Sequence, residues 1–191
     1  MTTKAKVLLI MGSTRAGRIC PVLTEWVADI GRLITSADYE VIDLANWKLP
    51  MDDEPGLPAL GIYTQEHTRA WSKKISSCDG IIFVTPQFNW GYPAVLKNAI
   101  DHLYTEWRSK PAMIVTYGGH GGGKCADQLR QVMGSVKMQT VETSPVITLS
   151  EAIIREGAVF DPERDAIDQL ASIKKALKEL SMAISRIDGL P

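Results

Sequence analysis

The chain has 191 residues, 45% of them apolar and 23% charged, and a formal charge of −1 at neutral pH. That length suits one well-buried core and excludes two ordinary domains with a linker, and the composition excludes disordered and fibrous classes. Basic residues are scattered, so the footprint of a nucleic-acid or anionic-membrane binder is absent.

In chain order, MTTKA leads straight into the apolar run KVLLIM (Lys6–Met11), without the longer apolar region and cleavage site of a secretory signal. No run approaches membrane-spanning length, and the expected compartment is the cytoplasm. KVLLIM is continuously apolar, as in a strand covered on both faces. Val22, Leu23, Trp26, Val27, Ile30, Leu33 and Ile34 then repeat at helical spacing. YEVIDL (39–44) is a weaker strand, and residues 46–62, rich in proline and acid, form an unusually long loop, either a solvated connection or a flap over a partner subunit or site.

GIIFVT (80–85) is the next continuous strand. Pro93 starts an amphipathic helix carrying Val95, Leu96, Ala99, Ile100, Leu103 and Tyr104. AMIVTY (112–117) is the fourth strand, and Gly134 is a helix stop. Pro145 interrupts the fifth candidate, around 141–149, and marks it as an edge or bulged strand. Asp161 and Pro162 cap a last helix with Ile167, Leu170, Ile173, Leu177, Leu180 and Ile184 on one face. Strands alternating with helices predict an α/β fold: a flavodoxin-like, doubly wound, five-stranded parallel sheet of order 2-1-3-4-5, helices on both faces, in a single domain over 1–191. Cys20, Cys78 and Cys125 are odd in number and widely spaced, so no metal site is expected and the thiols read as reduced.

Ligands of such sheets bind beyond the carboxyl ends of the strands at the switch in strand order, here between the first and third. After the first strand come Gly12, Ser13, Thr14, Arg15, Ala16, Gly17 and Arg18. Glycines for tight turns, hydroxyls, first-turn N–H groups and arginines make a cradle for a terminal phosphate, although an ordinary strand-to-helix connection reads the same way. After the third strand, Pro86, Gln87, Phe88, Asn89, Trp90, Gly91 and Tyr92 combine aromatics and amides suited to a flat heteroaromatic ring such as a flavin. The alternative for these aromatics is satellite core beneath a loop.

After the fourth strand, Tyr117, Gly118, Gly119, His120, Gly121, Gly122 and Gly123 precede a helix whose positive end would face the flavin N1/O2 edge, with His120 a possible donor. Gly118 to Lys124 also fits GxxxxGK, but Cys125 stands where a P-loop needs Ser or Thr, and no central strand ends in the required aspartate.

The segments MGSTRAGRICP, VTPQFNWGYPAVLKNAIDHLYTEW and KPAMIVTYGGHGGGKCADQL resemble the NAD(P)H-dependent FMN reductase family, especially its fungal quinone-reductase members, over most of residues 4–135. The resemblance implies an enzyme passing hydride from NADPH or NADH through N5 of FMN to a quinone or free flavin by ping-pong turnover, with no side chain acting as catalyst. It implies that Arg15 and its loop neighbours hold the FMN phosphate, that Pro86 to Asn89 line the ring, and that Tyr117 begins the loop on its other side. Phe88 departs from the tyrosine usual in the family, which removes a hydroxyl and keeps the stacking. A homodimer, or a higher oligomer, is implied as well, with apolar surface expected around Trp107 and the Trp47 loop. The competing class is a flavodoxin-type electron carrier, against which the near-zero charge argues. The tail beyond Gly134 resembles no family.

Overall fold

The computed structural model of the protein describes residues 4–188. Its elements are β1 (Lys6–Met11), α1 (Cys20–Ile34), β2 (Asp38–Asp43), α2 (Leu44–Trp47), α3 (Glu66–Ser76), β3 (Gly80–Pro86), α4 (Ala94–Asp101), β4 (Pro111–Gly118), α5 (Gly123–Ser135), β5 (Gln139–Thr140), β6 (Val146–Thr148), α6 (Glu151–Arg155), α7 (Pro162–Asp165) and α8 (Leu170–Asp188). All strands pair in parallel in the order β2-β1-β3-β4-β5, with β6 also on β4.

Successive side chains of a strand point to opposite faces, so a continuous apolar run serves two layers at once. Val7, Leu9 and Met11 join α1 and α8 in one core, while Leu8 and Ile10 join α3, α4 and α5 in the other. β3 and β4 divide in the same way: Ile82, Val84, Met113 and Val115 face α1 and α8, and Ile81, Phe83 and Ile114 face the opposite layer.

Two expectations about element boundaries need correction. The fifth strand is two short pieces: β5 pairs with Pro111 and Ala112, and β6 with Thr116 to Gly118. Pro145 lies between them, accepting from Thr116 N at 3.1 Å while having no N–H to return. The last helix does not run unbroken from Pro162. Asp161 caps only the short α7, a 3₁₀ turn over Ile167–Gln169 follows, and α8 carries the buried stripe Ile173, Leu177, Leu180 and Ile184, leaving Ile167 exposed.

α3 was not foreseen, because Thr68, Trp71 and Ile75 are all it buries. It matters for residues 46–62, which are pinned to it where His67 Nε2 lies 2.9 Å from Asp53 Oδ1, and also to α4 and the residue that ends it. Asn98 donates to Pro50 O at 2.6 Å and accepts from Asp52 N, while His102 Nε2 lies 3.0 Å from the same carbonyl. Of the apolar surface expected around Trp107 and the Trp47 loop, Trp107 itself is no part, being fully buried with its Nε1 donating to Ile100 O, and Trp47 packs half-buried against Trp71; the loop after Trp47 does expose Met51, Leu57, Leu60 and Ile62. No described helix is long and apolar enough to cross a membrane.

Candidate active site

A cleft of about 300 Å³ opens where the carboxyl ends of β1, β3 and β4 meet. Its first wall is the loop after β1, with Ser13, Arg15, Gly17 and Arg18. Among the described residues, no backbone N–H of residues 14–18 is taken up by an oxygen of the protein, so the loop presents a row of donors beside two guanidinium groups. Arg18 is braced from outside: its Nη2 lies 2.6 Å from Asp43 Oδ2, its Nη1 donates to Arg15 O at 3.3 Å, and its buried Nε has no partner. Arg15 is exposed, its guanidinium 5.2 Å from the centre of the Phe88 ring. Gly12 lies below the cleft, tied through its N–H to Val84 O, and Thr14 is exposed beside it.

The second wall is Pro86, Gln87 and Phe88. Gln87 donates its N–H to Tyr117 O at 2.7 Å and accepts from Cys125 N at 3.1 Å, which joins two of the site loops and places the first turn of α5. Phe88 and Gly91 then exchange backbone bonds of 2.8 and 2.9 Å around Asn89 (φ 47°) and Trp90 (φ 70°), a tight hairpin turn that few side chains tolerate. The turn carries Asn89, Trp90 and Gly91 out of the cleft lining. Trp90 is 61% exposed, with the Lys124 ammonium 3.9 Å from its ring centre.

Tyr117, Gly118 and Gly119 form the third wall. Tyr117 is buried, and desolvation together with neighbouring Cys20 pushes its phenol far above the ordinary range, so it stays neutral. His120 is exposed and lies outside the lining, as does Gly121, whose φ of 69° turns the chain. The glycine run has more than one cause. A Cβ at Gly122 would overlap the Thr116 side chain, whereas Gly123 has open space.

The fourth wall was not foreseen. Leu149, Ile153 and Ile154 close the cleft from the tail, and Leu149 donates its N–H to Gly118 O at 3.0 Å. The available signal was Ser150 ahead of an apolar pair: its hydroxyl caps α6 by accepting from Ile153 N. The lining contains no carboxylate, and its charged groups are the two arginines. An anion-receptive loop facing a slot walled by Phe88, Tyr117 and bare glycine backbone fits a phosphorylated flat ring such as FMN.

A parallel sheet of this order with such a cleft at its switch point defines a flavodoxin-like α/β protein with a ligand site at that rim. The chain belongs to the NADPH-dependent FMN reductase family, whose model matches residues 5–152. It is 54% identical over 178 residues to an NAD(P)H-dependent FMN reductase of Schizosaccharomyces pombe, covering 92% of this chain and 88% of that one. A second relative, the NAD(P)H-dependent FMN reductase LOT6 of Saccharomyces cerevisiae, is 43% identical over 178 residues, covering 83% and 92%. Among solved structures, FerB, a flavoenzyme NAD(P)H:(acceptor) oxidoreductase of Paracoccus denitrificans, superposes with a TM-score of 0.71 at 20% identity, covering 94% and 98%, and shows the same fold.

Proposed function

We propose that the chain acts as one FMN-binding domain that passes reducing equivalents from NADPH or NADH to a quinone or free flavin. The observation that carries this reading is the meeting, in one cleft, of a loop of free N–H donors with a slot of aromatic and glycine walls. Ser13, Thr14, Arg15 and the N–H groups of their loop would hold the FMN phosphate, with Gly12 and Arg18 setting the loop's path. Pro86 to Phe88 and Tyr117 to Gly119 would line the ring. When bound, FMN supplies the hydride-transfer chemistry.

The protein's own part is to bind, orient and exclude water. No acid or base is drawn from the lining, which has no Asp, Glu, His or Lys. Gln87, whose N–H donates to Tyr117 O and whose Oε1 accepts from Cys125 N, holds the loops after β3 and β4 in place. One cleft serves reductant and acceptor in turn, so turnover is ping-pong. Parallel double-reciprocal lines are the expected result, and intersecting lines overturn it. The reading as a whole is tested on the pure protein: yellow colour with stoichiometric FMN, bleached anaerobically by NADPH, supports it. A flat flavin-fluorescence titration would refute it.

Two further properties belong to this reading. Met51, Leu57, Leu60 and Ile62 are exposed on the loop pinned to α4, which supports a homodimer or higher oligomer through that face. Light scattering that gives a monomer at micromolar concentration would remove it. Cys20, Cys78 and Cys125 are free and buried, which suits the reducing cytoplasm.

A further inference from the structure

We infer that Ile153 and Ile154 of α6 form an acceptor-selecting wall that favours flat apolar quinones over charged acceptors. The inference rests on the proposed oxidoreductase reading of the cleft and adds to it what chooses the second substrate. The two residues lie just beyond the segment matched by the family model, which ends at residue 152, yet both line the cleft.

Their placement is well determined by local bonds. Leu149 N to Gly118 O fastens the chain entering α6 to the loop after β4, and the Ser150 hydroxyl caps the helix. At the far end Ala158 N returns to Ala152 O at 3.0 Å, Gly157 turns the chain with φ 74°, and buried Phe160 anchors it. Ile153 is partly buried against the core shared by α1 and α8. Ile154 lies on the Gly119 backbone, so close that a Cβ at Gly119 would come within 2.8 Å of its Cδ1, and is still 49% exposed.

A half-exposed isoleucine on a cleft rim offers apolar area and no hydrogen bond. Arg15 and Arg18 are the charged groups of the same cleft, and Arg18 is already paired with Asp43. A flat apolar ring placed against α6 removes the Ile154 surface from water, whereas a hydrated anion gains nothing there and loses hydration. The wall therefore discriminates by desolvation, not by contact with charge.

The test uses the full chain loaded with FMN and three variants, Ile154→Asn, Ile153→Ala and Ile154→Leu. Three quantities are read: the ratio of kcat/KM for 2-methyl-1,4-naphthoquinone to that for ferricyanide, the naphthoquinone Kd of the oxidised protein from tryptophan fluorescence, and the FMN Kd. Ile154→Asn, which removes apolar surface without adding charge, should lower the ratio by about tenfold and raise the quinone Kd by a similar factor, while Ile154→Leu should leave both unchanged. Ile153→Ala should shift the ratio in the same direction by a smaller factor. An unchanged ratio and unchanged quinone Kd in Ile154→Asn overturn the inference. So does an FMN Kd that rises by the same factor as the quinone Kd, which would make α6 part of the cofactor site. If the unsubstituted protein reduces no quinone, the functional reading falls, and the quinone Kd of Ile154→Asn still decides whether α6 is a quinone-binding wall.

Discussion

Arg18 and Asp43, 25 residues apart in sequence, meet at 2.6 Å beside the cleft, their side chains only 18% and 17% exposed. The same carboxylate accepts from Ala45 N at 2.9 Å as the cap of α2, so one side chain joins the end of β2, the start of α2 and the loop after β1. Replacing Asp43 with alanine should destabilise the fold by about 2 kcal/mol, roughly half from the cap and half from the ion pair. Asp43→Asn keeps a good cap and should lose only about 1 kcal/mol. Urea unfolding of both variants measures the split, and equal losses would show that the cap contributes nothing.

Arg15 is the arginine left free to meet a phosphate, since Arg18 is committed to Asp43. Arg15→Ala should weaken FMN binding by about 1.5 to 3 kcal/mol, the range of a charge-assisted hydrogen bond. Riboflavin, which lacks the phosphate, should bind the variant as it binds the original protein. Fluorescence titration with both flavins checks this, and an unchanged FMN Kd contradicts the assignment.

The glycines before α5 should not respond alike to substitution. Gly122→Ala drives a methyl into the Thr116 side chain and backbone and should cost about 2 to 3 kcal/mol. Gly123→Ala meets open space at the start of a helix and should be neutral or stabilising by up to about 1 kcal/mol. Thermal unfolding separates the two, and similar Tm values would refute the packing argument.

Glu54 makes part of the stability dependent on acid. Desolvation opposes its ionisation, but the backbone N–H groups of Thr64 and Gln65 and the Thr64 hydroxyl outweigh this and bring its pKa from 4.5 down to about 2. Since the folded value lies below the unfolded one, the contribution is complete above pH 4.5 and disappears as pH falls toward about 2. Glu54→Gln should lose about 1 kcal/mol at neutral pH and show a flatter fall in stability across that window. Urea midpoints against pH test this, and parallel curves for the two proteins would count against it.

What could be read from the sequence is what depends on near neighbours in the chain. Continuous apolar runs such as KVLLIM and GIIFVT have to be strands covered twice, because alternate residues face opposite layers, and the order of runs and helical repeats leads to the 2-1-3-4-5 sheet. The same local logic places the loops after β1, β3 and β4 at one rim and brings Ser13, Arg15, Pro86, Gln87, Phe88, Tyr117, Gly118 and Gly119 to a common cleft. Tertiary structure alone decided the remainder. Whether Arg18 faces a ligand depends on Asp43 arriving from β2. Trp90 leaves the lining because Phe88 and Gly91 close a turn, and Trp107 is buried by packing in the core beside Phe83, with Ile100 O satisfying its indole N–H. The wall of Leu149, Ile153 and Ile154 exists because β6 pairs beside β4 in a register that sets Leu149 against Gly118. Those contacts join segments held near each other only by the folded sheet, and side-chain periodicity within a segment carries no information about which distant segment it will meet.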